Sequence, residues 1–179
     1  ADKMYTLCCN KGNSYARYHI GSTLNATDNT NMLTYEGICR YESLFYIEKG
    51  TGDYAGYYTI RPVAAPNMYA YNLESVDRNS AVAMKEAPAE GGLTKEYYWN
   101  ITSFTSEPGN ITPYGGDALG WNKRGSYNDY GHIGYWDGGN NTVDNKWTVL
   151  TVEETFIPDE YTTDDSTVGY HTYASVEPS

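Results

Sequence analysis

The chain has 179 residues, of which 40% are hydrophobic and 15% aromatic, enough to fold around a core of its own. Its formal net charge of −11 disfavours nucleic acids and strongly anionic polysaccharides as ligands, because like charges repel. Without an apolar run of about 18 residues, the sequence predicts no membrane span. The 20 tyrosines, whose side chains suit half-buried pleated surfaces, favour an all-β chain.

Strand-like segments recur three times along the chain. The opening segments are Tyr5–Leu7, Tyr58–Ile60 and Asn110–Thr112, and the closing segments are Leu44–Ile47, Tyr98–Ile101 and Lys146–Val149. The spacing is 38 positions from Leu7 to Phe45, 39 from Ile60 to Trp99 and 36 from Ile111 to Trp147. Because these offsets are nearly constant, the chain is predicted to contain an internal threefold repeat.

Each copy is predicted to contain four short strands separated by turn residues. In the second copy the strands are expected at Tyr57–Arg61, Met68–Leu73, Ala81–Lys85 and Tyr97–Thr102. Three such units predict an all-β fold, the β-trefoil, in which six strands close a barrel and six form hairpins that cap one end. The residues expected in the barrel core are Leu7, Ile60, Ile111, Tyr18, Tyr71, Trp121, Phe45, Trp99 and Trp147.

The repeat pattern also predicts the domain boundaries. The trefoil is expected to span residues 4–153, with repeats at about 4–53, 54–106 and 107–153. Residues 154–179 contain two prolines and a run of acidic and hydroxyl side chains, so they are expected to form a linker or an extended C-terminal tail.

Residues that could carry metal, redox or catalytic chemistry are scattered. Cys8 or Cys9 could pair with Cys39, or all three could be free thiols. The histidines, isolated in the sequence, predict no metal site, and we expect no cofactor. The acidic residues considered for a catalytic pair, which no motif brings together, are Glu36, Glu42, Glu48, Asp53 and Glu74. The chain is therefore predicted not to be an enzyme.

Between about residues 4 and 152 the sequence resembles the ricin-B-type lectins and related β-trefoil carbohydrate-binding modules. The mark of that family is Gln-x-Trp near the end of each repeat; the corresponding tripeptides here are Ser43-Leu44-Phe45, Tyr97-Tyr98-Trp99 and Asn145-Lys146-Trp147. None retains the glutamine. The abundance of Tyr, Asn and Gly is also similar to that of trefoils appended to secreted bacterial enzymes. This likeness implies a secreted or cell-surface bacterial protein with an attached catalytic domain.

The resemblance implies a sugar site in the third repeat. There Trp136 would be the platform for a sugar ring, and Asp137, Asn140 and Asn141 would bind the hydroxyls. The family's acidic residue on the second strand is missing, so Asn122 and Asp117 are its nearest substitutes. Tyr130 lies near this site, and Tyr35 is the platform candidate of the first repeat. In the second repeat the platform position is occupied by Lys85, which predicts that this repeat binds no sugar.

Each of these residues also has a structural alternative. Trp136 could cover the hairpin cap, and Asn140 and Asn141 could serve turn geometry. Asn145 is interpreted as holding a backbone turn rather than touching the ligand. Tyr127, Tyr130 and Tyr135 could be sugar contacts or surface tyrosines, and we interpret them as surface tyrosines. The functional prediction is weak binding of a neutral glycan; the alternative is a structural or protein-interaction trefoil without a sugar site.

Overall fold

A computed structural model of the chain describes residues 3–11, 14–18, 32–36, 41–73, 82–116, 118–127, 130–137, 142–152 and 178. Within them lie twelve strands, in three successive groups of four. The first group is β1 (Tyr5–Cys9), β2 (Ser14–Tyr18), β3 (Met32–Glu36) and β4 (Phe45–Lys49). The second is β5 (Tyr58–Pro62), β6 (Met68–Tyr71), β7 (Ala83–Glu86) and β8 (Trp99–Ile101). The third is β9 (Ile111–Pro113), β10 (Leu119–Tyr127), β11 (Tyr130–Asp137) and β12 (Trp147–Thr151).

The first and last strands of each group form a closed barrel. Within each repeat, the closing aromatic residue pairs with the opening of the same repeat, at Tyr5–Phe45, Tyr58–Trp99 and Gly109–Trp147. Between repeats, apolar residues pair at Ile47–Ile60, Ile101–Ile111 and Val149–Leu7. The same two contacts therefore recur three times, and the last one joins β12 to β1.

The two middle strands of each group form an antiparallel hairpin: β2 with β3, β6 with β7, and β10 with β11. The third hairpin also pairs with the first, because β11 lies beside β3. Six barrel strands and three hairpins make the β-trefoil, so the fold predicted from the spacing is confirmed. In the second repeat, the strands begin and end within three residues of the predicted positions.

Short 3₁₀ turns lead into the closing strand of every repeat, at Tyr41–Ser43, Lys95–Tyr97 and Val143–Asn145. The indole N–H of Trp99 donates to the Ala70 carbonyl, and that of Trp147 donates to the Trp121 carbonyl, both at 3.0 Å. Because the two hydrogen bonds are equivalent, they align Ala70 with Trp121 between the second and third repeats.

This alignment corrects two of the predicted core residues. Tyr18 and Tyr71 are half-buried and lie outside the core, whereas the nearby Ala16 and Ala70 are fully buried in it. The other seven predicted residues are in the core. Trp121 packs edge-on against both neighbouring tryptophans, with ring centroids 5.3 and 5.9 Å apart. A large side chain from one repeat is thus combined with small ones from the other two, as close packing requires.

Cys8 and Cys9 are buried free thiols, so for these two residues the alternative of free thiols is confirmed over a disulfide. Cys39 lies outside the described residues. None of the helical turns in the described ranges is long and apolar enough to cross a membrane. Of the predicted tail, the description covers Pro178, which is buried.

Candidate functional site

The hairpin of β10 and β11 places Trp136 at the surface. Along β11, Ile133 and Tyr135 are fully buried, and the alternation of the strand turns the next side chain outward. Trp136 is 39% exposed, and its partner across the hairpin is Gly120, which has no side chain. The third repeat therefore presents a large aromatic ring at the end of β11, as the resemblance implied.

A buried amide network supports the chain just after this tryptophan. The Asn145 side chain donates a hydrogen bond to the Asp137 carbonyl at 2.9 Å and accepts one from the Asn122 amide at 2.5 Å. Asn145 is fully buried, and Asn122 is 8% exposed. The interpretation of Asn145 as a residue that holds the backbone is confirmed. Asn122 lies in the same network, beneath the surface that carries Trp136.

The other residues predicted for the sugar site are described to different extents. Asp137 is half-buried at the end of β11, opposite Leu119. The backbones of Tyr35 and Tyr130 lie in β3 and β11, and their side chains are outside the description. Asp117, Asn140 and Asn141 lie outside the described residues. These assignments stay predictions.

The register of the three hairpins shows which residue of each repeat occupies the platform position. Trp136 lies opposite Gly120, Lys85 opposite Tyr69, and Tyr35 opposite Tyr15. Lys85 does not present an aromatic face; its ammonium nitrogen lies 4.6 Å from the centre of the Tyr71 ring. The second repeat therefore has a cation where the third has its exposed indole.

Tyr135 is not a surface residue, contrary to the interpretation from the sequence. It is fully buried, its hydroxyl donates to the Asn72 side-chain oxygen at 2.8 Å, and burial strongly raises its pKa. The reason is register: Tyr135 pairs with the core residue Trp121, so its ring points into the molecule. Asn72, its partner from the second repeat, has no signal in the sequence that could have identified it.

A second aromatic surface, which was not recognised in the sequence, lies where the second repeat meets the third. Tyr54 stacks on Tyr98 with ring centroids 4.0 Å apart, and Tyr57 packs on Tyr114 at 4.5 Å. Tyr54 also contacts the Tyr114 ring edge-on at 5.3 Å. These four tyrosines, named here the tyrosine cluster, come from three separate loops. Three of them, Tyr57, Tyr98 and Tyr114, directly adjoin a barrel strand, which is a sequence signal that Tyr54 lacks.

Two clefts adjoin the tyrosine cluster. The larger holds about 550 Å³ and is lined by Asp53, Tyr54, Thr94, Lys95, Glu96 and Tyr114. The smaller holds about 260 Å³ and is lined by Tyr57, Asn100, Thr112, Pro113, Gly115 and Gly116. Among the described positions, no three His, Cys, Asp or Glu side chains are grouped as metal ligands would be. The surface chemistry found here is aromatic and polar.

Comparison with known proteins agrees on the fold. No sequence-family profile matches the chain, and no curated protein matches it significantly. Among solved structures, it is similar to the BEL β-trefoil, at 16% identity and a TM-score of 0.61, over 85% of this chain and 95% of that one. A designed threefold-symmetric protein, ThreeFoil, matches at 12% identity and a TM-score of 0.57, over 82% and 96% of the two chains.

A third solved structure, the C-terminal domain of an earthworm lectin, is a mutant in complex with 6′-sialyllactose. It matches at 10% identity and a TM-score of 0.55, over 83% of this chain and 98% of that one. At such low identities these similarities establish the β-trefoil fold of the chain and leave its ligand to be argued from its own residues.

Proposed function

We propose that this β-trefoil is a non-catalytic carbohydrate-binding module that binds a neutral glycan weakly through its third repeat. The observation that carries the proposal is the exposed indole of Trp136 on a hairpin anchored by buried amides. The lectin among the similar structures was solved with 6′-sialyllactose, an acidic saccharide, so it supports carbohydrate as the class of ligand, while the preference for a neutral glycan rests on the net charge of −11 of this chain. In this proposal the module belongs to a larger secreted or surface protein of a bacterium and keeps an attached enzyme near its substrate, where even weak binding is useful.

The chemistry of the hairpin suits a sugar. A pyranose ring has an apolar C–H face that can stack on an indole, while its hydroxyls need hydrogen-bonding groups at the edge of that ring. Asp137 directly follows Trp136 and is half-buried. Its main-chain carbonyl is held by Asn145, so the backbone beside the platform is positioned before a ligand arrives.

Tryptophan fluorescence offers a direct test. Of the four tryptophans, Trp99, Trp121 and Trp147 are at most 1% exposed, whereas Trp136 is 39% exposed. A sugar that stacks on Trp136 should therefore change the emission of this residue and protect it from a soluble quencher. We expect the change on titration with neutral oligosaccharides, and we expect the Trp136→Ala variant to lose it together with binding on a glycan array.

The matched control is Leu73→Ala, because Leu73 is 38% exposed and lies in the second repeat. This variant should bind like the parent protein. If the Trp136→Ala variant and the parent bind glycans equally well, or if neither binds, the third-repeat site is wrong. Failure of both to bind any glycan would favour the alternative, a structural or protein-interaction trefoil.

A further inference from the structure

We infer that the smaller cleft beside the tyrosine cluster is a second, independent binding site for a neutral saccharide. It lies on the outer face of β8 and β9, away from the exposed tryptophan of the β10–β11 hairpin. The ligand class is the one in the proposed function, but the argument uses a different set of residues. The two sites can therefore fail separately.

Strand geometry presents polar side chains at this cleft. In β8, Trp99 and Ile101 point into the core, so Asn100 between them points outward and is half-buried. Across the sheet it pairs with Thr112 of β9, which places both side chains on the same face. The Asn100 amide lines the cleft, and such a group can form several hydrogen bonds with a ligand.

Thr112 lies beside Asn100 as a buried polar residue. It is 3% exposed and lines the cleft, and its hydroxyl, which has no hydrogen-bond partner within the described ranges, is covered from solvent. The group that a ligand in the cleft can reach is therefore the half-buried Asn100 amide, and a ligand that contributes hydroxyl groups would supply partners for it.

The lining of the cleft includes one aromatic ring and two glycines. Tyr57 lines it and packs on Tyr114, which lines the larger cleft, so the two clefts adjoin through this pair of rings. The glycines are Gly115, with φ of +72°, and Gly116. A Cβ atom added at either glycine would meet no atom within 4 Å, so a ligand can approach the backbone there.

Charge identifies the ligand class. All six residues that line the smaller cleft have uncharged side chains, whereas the whole chain has a net charge of −11. A neutral ligand with an apolar face and several hydroxyls fits one tyrosine ring, an amide and open backbone. The larger cleft differs because the charged side chains of Asp53, Lys95 and Glu96 line it. A saccharide long enough to extend past the Tyr114 ring would contact these side chains.

The test is NMR titration of the isotope-labelled protein with lactose, cellotetraose, xylotetraose and mannotetraose in turn. The protein should come from a host without N-glycosylation, because Asn100-Ile101-Thr102 is an acceptor sequence. We expect at least one saccharide to shift the Asn100 side-chain resonances and the Gly115 and Gly116 amides. The shifts should persist in the Trp136→Ala variant.

Two variants separate binding from folding. Asn100→Ala should weaken binding about tenfold, since it removes hydrogen bonds to the ligand. Gly116→Leu should abolish binding by filling the cleft, whereas Gly92→Leu, at another open and exposed glycine, should bind normally. Unchanged resonances at the cleft with all four saccharides, or shifts confined to the Trp136 hairpin, would overturn the inference; the second result would leave the proposed function intact.

Discussion

At the scale of single residues, the four tryptophans have two different roles that their surroundings decide. Trp99, Trp121 and Trp147 meet edge-on near the centre of the barrel, and two of them donate indole hydrogen bonds to neighbouring carbonyls. Trp136 is partly exposed at the end of a hairpin. A residue type that looks the same four times in the sequence therefore contributes to stability at three positions and to the proposed recognition at the fourth.

The Trp99→Ala variant should lose about 3–5 kcal/mol of unfolding free energy, because it leaves a cavity and an unpaired Ala70 carbonyl. Urea denaturation followed by circular dichroism would measure the loss. Trp136→Ala is the control and should lose much less, since its ring is 39% exposed. Equal losses in the two variants would mean that Trp99 is not in the core described here.

Burial also controls the two described thiols. It raises the pKa of Cys8 to about 12 and that of Cys9 to about 11, from the ordinary value of 9.0. In the unfolded chain both thiols would ionise near 9.0, so the unfolded state releases protons first as the pH rises. The contribution of these thiols to stability is complete below pH 9.0 and is lost as the pH rises toward 11 and 12.

We therefore expect the unfolding free energy to fall as the pH rises from 9.0 to about 11. The fall should be shallower in a Cys8→Ala/Cys9→Ala double variant, which retains the tyrosines that titrate in the same alkaline range. Urea unfolding at several pH values would compare the two proteins. Identical slopes would show that the thiols are solvated in the native state. A thiol reagent at neutral pH should likewise label the unfolded chain much faster than the folded one.

At the scale of strands, Gly109 closes the barrel between β9 and β12. Its N–H donates to the Trp147 carbonyl at 2.9 Å, and its carbonyl accepts from the Trp147 N–H at 2.8 Å. A Cβ atom at this position would lie 2.5 Å from the Thr102 hydroxyl oxygen and 2.9 Å from the Ser103 Cβ. The bridge therefore needs a residue without a side chain, although the backbone at Gly109 is not in the left-handed region.

Gly109→Ala should destabilise the protein by about 1–3 kcal/mol, as overpacking does elsewhere. Gly92→Ala is the matched control, because a Cβ atom there meets nothing within 4 Å. Its stability should be unchanged or slightly increased, since alanine restricts the unfolded chain. Thermal unfolding of both variants beside the parent would measure this difference. A Gly109→Ala variant as stable as the control would contradict the closure described here.

At the scale of the whole molecule, the two ends of the trefoil depend on each other. β12 pairs with β1 over five residue pairs, from Tyr5–Thr151 to Cys9–Trp147. No single repeat can bury its apolar face alone, so the three repeats should unfold as one cooperative unit. The closure is thus a property of the complete set of strands.

A chain truncated before β12 should lose its near-ultraviolet circular dichroism and bind a hydrophobic dye, because β1 and the core tryptophans lose their cover. The control is the full-length protein with one peptide bond cleaved within residues 87–92, a loop whose residues are all exposed. The cut protein should stay folded and unfold in a single transition. Native spectra in the truncated chain would show that the fold does not depend on closure by β12.

The sequence by itself determined the repeat, the strand pattern and most of the core, because Leu7, Ile60 and Ile111 keep nearly constant distances from the closing aromatic residues. The resemblance to the ricin-B-type lectins, which can be read without coordinates, also singled out Trp136. The sequence misassigned Tyr71 and Tyr135, because a shift of one position in a strand exchanges the buried face for the exposed one. It also misassigned Tyr18, which lies at the end of β2, two positions beyond the buried Ala16.

Only the tertiary structure decided which side chains meet across repeats. The network of Asn122 and Asn145, the bond from Tyr135 to Asn72, and the tyrosine cluster all join residues that are distant in the chain. Such contacts depend on how the barrel closes and in which register each hairpin pairs. The alternation of residues in a segment predicts that it is a strand but not which strand it pairs with. The physical reason is that the pairing is set by the burial of the whole core.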